Sequence, residues 1–111
     1  QVISGDDALT LPMLLAGAVG TISVLGNALP VPLVKIFQYV ANGELDKAYQ
    51  HHYELLDMIQ LLFEEGNPVG IKALMEILNI CSNQVRLPLI NASSNLIKRI
   101  ESVLENSIYA I

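Results

Sequence analysis

Charge is what this sequence has least of: 15% of its 111 residues are Asp, Glu, Lys or Arg, against 52% hydrophobic, and its mean hydropathy is +0.47. A domain this small normally carries more charge, so either a membrane or protein outside the chain is expected to cover much of its surface. Basic residues are scarcer still. Six Lys and Arg, scattered from Lys35 to Arg99 in a chain of net charge −5, cannot form a phosphate-binding stripe, which excludes nucleic acid as a partner. A single cysteine, Cys81, excludes an internal disulfide. It points to a reducing, cytoplasmic setting and to a buried, inert thiol. No charged residue lies between Asp7 and Lys35, a run longer than the ~20 residues that span a bilayer. Pro12, Gly17, Gly20, Gly26, Asn27, Pro30 and Pro32 break that run into pieces of the wrong length, so no membrane partner is expected. No basic segment precedes Ala8, which leaves a secretory signal unsupported and makes the Asn91-Ala92-Ser93 sequon a chance match.

What is present reads as an α/β chain. Val2-Ile3-Ser4 has the β-branched residues of a strand end and runs at once into Gly5-Asp6-Asp7. Asp7 or Thr10 can cap a helix from about Ala8 to Ala16, which Gly17 ends. Gly20 to Leu25 is a second short, apolar strand, followed by the turn residues Gly26-Asn27. Strand, helix and strand without polar alternation predict a parallel pair, and such a sheet needs more strands than two. From Pro30 onward the pattern is helical. Val31 to Ala41 stops at Asn42-Gly43. Leu45, Ala48, His52, Leu55, Ile59 and Leu62 then draw one stripe down a long helix ending at Gly66-Asn67-Pro68. A shorter helix from about Val69 to Leu78, an extended connection through Arg86-Leu87-Pro88-Leu89, and a last helix capped by Ser93 or Ser94 complete the chain. That last helix carries Leu96, Ile97, Ile100, Val103, Leu104 and Ile108 on one face.

Few constellations carry chemistry. Asp6 and Asp7 follow a glycine at the C-terminal end of a strand, where parallel α/β proteins place their sites, although either can simply cap the next helix. His51 and His52 point about 100° apart on a helix and lack any zinc-ligand spacing, so no metal site is expected. His52 belongs to the buried stripe and His51 to the solvated side. Glu64, Glu65, Glu101 and Glu105 read as solvated surface. Ser23 has no GxSxG context and Cys81 no histidine motif, so nucleophilic hydrolysis lacks support.

Four landmarks occur together in order: Ser4-Gly5-Asp6-Asp7; Gly20-Thr21-Ile22-Ser23-Val24 with Asn27; Asn67-Pro68 followed by Lys72; and Arg86-Leu87-Pro88-Leu89. In this combination the chain resembles the dihydrodipicolinate synthase and N-acetylneuraminate lyase family, from Val2 to about Val103. Gly26, where that family commonly has Ala, and Gly70, where it often has a second Pro, are departures expected to loosen two turns.

The resemblance implies a fold: the C-terminal part of a (β/α)8 TIM barrel, with strands seven and eight and their helices in residues 1–42, followed by an all-helical C-terminal domain in residues 43–111. It also implies a Schiff-base lyase that condenses pyruvate with aspartate semialdehyde in lysine and diaminopimelate biosynthesis, without a cofactor and as a homo-oligomer. The family's Schiff-base lysine and proton-relaying tyrosine lie upstream of residue 1. None of Lys35, Lys47, Lys72 and Lys98 matches the first, and none of Tyr39, Tyr49, Tyr53 and Tyr109 the second, so this chain holds no catalytic residue and is expected to be inactive alone. By position, Ile22 matches the residue whose backbone lies against pyruvate, Gly5 the glycine lining the second substrate's site, and Asp6 and Asp7 the loop beside it. Two rivals stay open: another pyruvate-dependent aldolase, such as a sialic-acid or keto-deoxy-sugar lyase, and a non-catalytic helical interaction module.

Overall fold

The structure is a computed structural model that describes residues 1–107; Ile108 and Tyr109, named above, lie outside the described residues. Ile3–Ser4 (β1) and Gly20–Thr21 (β2) form a two-stranded parallel sheet in the register Ile3 to Gly20 and Ser4 to Thr21. Backbone bonds extend the pairing one residue either way. Val19 N–H donates to Val2 O at 2.9 Å and Ile22 N–H to Ser4 O at 2.8 Å. The crossover helix Thr10–Leu15 (α1) follows a 3-10 turn over Asp7–Leu9. The cap differs from expectation: Asp6, not Asp7 or Thr10, accepts from Ala8 N–H, while Leu9 at the start of α1 offers no side-chain cap. Asp7 is committed to a distant partner, described below.

The second strand is shorter than its apolar run predicts. After Thr21 the backbone leaves the sheet and winds into a 3-10 turn over Leu25–Asn27, which buries Leu25 completely. β-propensity over Gly20 to Leu25 is overridden by the side-chain and backbone bonds that this turn makes. Gly17 closes α1 at φ +99° and Gly43 closes the next helix, Pro30–Ala41 (α2), at φ +74°; both occupy the left-handed region that favours glycine. Pro30 stands at the start of α2, where its missing N–H has no intrahelical partner to lose.

Helix Leu45–Glu64 (α3), helix Val69–Ile77 (α4) and helix Ser94–Glu105 (α5) follow. The chain divides into two compact units, Gln1–Leu56 and Asp57–Ile111, with the boundary inside α3. The first unit buries Leu11, Leu25, Leu29, Leu33, Ile36, Ala48 and Leu55. The second buries Leu61, Leu62, Val69, Ile71, Leu74, Leu96, Ile100 and Leu104, with α4 packed against α5. Leu96, Ile100 and Leu104 recur every four residues and fall on one face, as the periodicity predicts. Ser93 caps α5 by accepting from Leu96 N–H at 3.1 Å, and Glu65 in turn accepts from the Ser93 hydroxyl and, at 2.9 Å, from its N–H. Those bonds hold the Glu65 carboxyl below the usual carboxylate range.

Four further expectations are corrected. His51 is not solvated: both His51 and His52 are buried. The His51 ring stands edge-on to Tyr39 of α2 at 5.5 Å, which shields it. Cys81 is exposed, because it sits in the irregular segment after α4, beyond the last buried turn. Gly70 does not loosen a turn. It is buried, and a Cβ there would stand 2.6 Å from Leu62 Cα, so only glycine permits this approach of α4 to the end of α3. Gly26 is likewise tight, its missing Cβ facing Leu33 Cδ2 and Ser23 Oγ at 3.2 Å.

Candidate functional site

Parallel pairing brings the C-terminal ends of β1 and β2 side by side, so Gly5 and Ile22 leave the sheet at the same edge. Short polar side chains then knit the two strand ends together. The Ser4 hydroxyl donates to Asp6 O at 2.9 Å, and Asp6 N–H donates back to Ser4 Oγ at 3.2 Å. The Thr21 hydroxyl reaches Ser4 O across the sheet at 3.3 Å, and Thr10 Oγ1 lies 3.3 Å from Thr21 Oγ1. Ser4 and Thr10 are both buried, so these bonds replace water that has been excluded.

Asp7 holds the centre of the arrangement. It is 2% exposed, and both carboxylate oxygens are occupied. Oδ1 accepts from the Ser23 hydroxyl, while Oδ2 accepts from Val24 N–H at 2.9 Å and Leu25 N–H at 3.0 Å. Ser23 Oγ in turn accepts from Gly26 N–H at 2.7 Å, and Asn27 Nδ2 donates to Val24 O at 3.1 Å. The carboxylate therefore satisfies the free N–H groups at the start of the Leu25–Asn27 turn from seventeen and eighteen residues away. Sequence reasoning missed this clasp. The available signal was Ser23 followed by a backbone that needs an acceptor, opposite two adjacent aspartates with only one local cap to fill.

The four residues singled out from the sequence thus share one strand-end edge but present different things. Gly5 and Asp6 are exposed, and a Cβ on Gly5 would meet nothing within 4 Å. Ile22 is 76% exposed, its N–H used by the sheet. Asp7 faces inward. The edge consequently offers an open glycine, an exposed strand-end backbone and an aspartate-braced loop, with no free nucleophile among them. Val2, Ile3 and Val19 around the sheet are also exposed, each by more than half. Among the described residues no group of three or more His, Cys, Asp or Glu could hold a metal ion, and no helix is long and apolar enough to cross a membrane.

A model of the dihydrodipicolinate synthetase family matches residues 1–107. The 4-hydroxy-tetrahydrodipicolinate synthase of Cytophaga hutchinsonii is 46% identical over 100 residues, which make up 90% of this chain and 34% of that protein. The chain thus spans about a third of the length of the curated relatives it matches. Among solved structures, the dihydrodipicolinate synthase of Thermotoga maritima aligns with a TM-score of 0.91 at 34% identity, over 95% of this chain and 36% of that one. A monomeric dihydrodipicolinate synthase variant aligns equally well, with a TM-score of 0.91 at 34% identity over 95% of this chain and 35% of its own.

Proposed function

The chain belongs to the dihydrodipicolinate synthetase family, and from that premise we propose that it supplies the C-terminal part of a Schiff-base lyase of lysine and diaminopimelate biosynthesis, one that condenses pyruvate with aspartate semialdehyde. In this reading β1 and β2 are the last two strands of a (β/α)8 barrel, and residues from about 43 onward form its helical domain. The site lies at the C-terminal ends of the strands, where barrel enzymes gather their reacting groups.

The observation that carries the proposal is the braced strand-end edge. Ile22 follows β2 with its backbone fixed by the bond to Ser4 O, as a wall against pyruvate must be. Gly5 follows β1 with open space where a side chain would stand, which leaves room for the second substrate. Asp6 and Asp7 act on this wall indirectly: Asp6 caps the turn that leaves β1, and Asp7 fixes the loop that leaves β2. The imine-forming lysine comes from polypeptide outside this sequence, since electrophile capture needs an activated amine at the site and none stands there.

A chimera tests this. The matched third of the Cytophaga hutchinsonii relative is replaced by this chain, and the folded product is treated with pyruvate and borohydride, then assayed with aspartate semialdehyde. The expected result is a stable pyruvate adduct and condensation in the chimera, and no adduct on the 111-residue chain alone. A folded chimera without the adduct refutes the reading. Turnover of a sialic acid or keto-deoxy sugar in place of aspartate semialdehyde gives the rival aldolase.

A further inference from the structure

The parallel ladder stops once Ile22 N–H has donated to Ser4 O at 2.8 Å. Continued further, it would pair Asp6 N–H with Ile22 O and then Val24 N–H with Asp6 O. Side chains take both donors instead. Asp6 N–H goes to Ser4 Oγ at 3.2 Å, and Val24 N–H to Asp7 Oδ2 at 2.9 Å. Between these two diversions lies the Ile22–Ser23 peptide. Among the described residues, neither its carbonyl nor its N–H has a hydrogen-bond partner. A peptide left so at the end of a strand turns about the soft dihedrals on either side unless a neighbouring group holds it.

The Ser23 hydroxyl is that group. It donates to Asp7 Oδ1 and accepts from Gly26 N–H at 2.7 Å, so its proton and one lone pair are both committed. Gly26 leaves room for this: a Cβ there would lie 3.2 Å from Ser23 Oγ and 3.3 Å from Ser23 Cβ. Asn27 Nδ2 also reaches Ser23 O, at 3.4 Å. Ser23 is thus anchored through its side chain and its own carbonyl, and Ile22 through its N–H. The unpartnered peptide is held between those anchors.

We infer that Ser23 is a positioning residue for the capture of pyruvate, acting through the Ile22–Ser23 peptide and touching no substrate itself. The inference rests on the family reading above and adds to it a side chain that lacks any nucleophile motif. Asp7 does not perform the same task. Its Oδ2 bonds fix the loop after Ser23, at Val24 and Leu25, and it reaches the peptide before Ser23 only by way of the hydroxyl. Gly5 leaves the other strand, so the place left for the second substrate does not depend on Ser23.

Pyruvate titrations of adduct formation, with steady-state KM values for both substrates, test this in the chimera. Ser23→Ala should raise the pyruvate concentration for half-maximal adduct about tenfold and leave the KM for aspartate semialdehyde within about twofold, with adduct still forming at saturating pyruvate. Ser23→Cys, a weak donor and acceptor, should give a smaller rise. Ser23→Thr keeps a hydroxyl on the same carbon and should match the unsubstituted chimera. Ile100→Val trims a fully buried side chain in α5; it controls for stability alone and should move neither constant. A Ser23→Ala chimera whose pyruvate constant stays within about twofold of the unsubstituted one overturns this inference and leaves the proposed function standing. Equal weakening of both substrates, or a threonine variant as impaired as the alanine one, does the same. If Ser23→Ala does not fold, the cysteine variant decides by the same comparison. A folded, unsubstituted chimera that forms no adduct overturns the proposed function and this inference with it.

Discussion

Replacing Asp7 should separate the architecture of the strand-end edge from its chemistry. Asp7→Ala removes one acceptor oxygen from the Ser23 hydroxyl and the other from the N–H groups of Val24 and Leu25. Leu25 is fully buried, so its N–H has no water to turn to, while Val24 is partly exposed. Leaving a buried N–H unmade costs about 1–3 kcal/mol, and hydrogen bonds to a charged acceptor are each worth about 1.5–3. Together these put the loss for Asp7→Ala at about 2–5 kcal/mol. Asp7→Asn keeps one carbonyl oxygen for the two N–H groups and presents an amide N–H to Ser23 Oγ, so it should cost about 1–2 kcal/mol. Urea unfolding of the chain measures both. In the chimera, Asp7→Asn should retain the pyruvate adduct, because the carboxylate faces the loop and not the open edge. Refutation would come from Asp7→Ala within ~0.5 kcal/mol of the parent, the ordinary range for a surface change. Loss of the adduct in a stable Asp7→Asn chimera would equally refute it, and would make the charge itself part of the chemistry.

Gly70→Ala would set a Cβ 2.6 Å from Leu62 Cα and 2.7 Å from Leu62 C, so α4 must move. Such overpacking costs about 1–3 kcal/mol, more than alanine's helix advantage of about 1, and a melting midpoint at or above the parent's would refute the close approach. Burial lowers the pKa of both His51 and His52, with Lys35 adding to the effect at His51 and Glu54 opposing it. The unfolded chain then binds protons first, so stability is full above about pH 6.5 and falls as pH drops through the folded-state values. Denaturant titrations across that window should show the fall and a shallower one in His52→Leu; equal slopes would remove His52 from the account. Ile22→Val should change the stability of the isolated chain by less than ~0.5 kcal/mol, because Ile22 is mostly exposed there, and should leave the chimera's pyruvate adduct intact. Gly5→Val should keep the pyruvate adduct while condensation falls, and equal loss of both steps would show that Gly5 supports the fold and not the substrate.

Helix ends, and the cap of the last helix, were legible because they are written locally. Gly17, Gly43 and Gly66 each occupy a positive φ where a helix was expected to end, and Ser93 caps the last helix through its own side chain. The parallel sheet was legible from the absence of polar alternation. What could not be read were the effects that join distant residues. Gly20 to Leu25 looks like six residues of strand, yet the backbone pairing with β1 stops at the Ile22 N–H, and Asp7 takes the N–H groups of Val24 and Leu25 from the other strand end. His51 looked solvated because its ring contact with Tyr39 on the preceding helix is not written in the periodicity of its own helix. Gly70 looked like a loosened turn because its reason lies in the backbone of Leu62.

The same distinction explains how the candidate site is built. Ser4, Thr10, Thr21, Asp7 and Ser23 fix the strand ends by hydrogen bonds, while the apolar residues nearest the sheet, Val2, Ile3 and Val19, remain exposed. The position of Gly5 and Ile22 is therefore set by short polar links within the first unit. Those links span only the two strand ends, so they persist whether or not further strands complete a sheet. On the proposed reading, in which a reactive amine comes from elsewhere, the strand-end edge should tolerate changes to the exposed sheet residues better than changes to Asp7, because only Asp7 braces the loop that leaves β2.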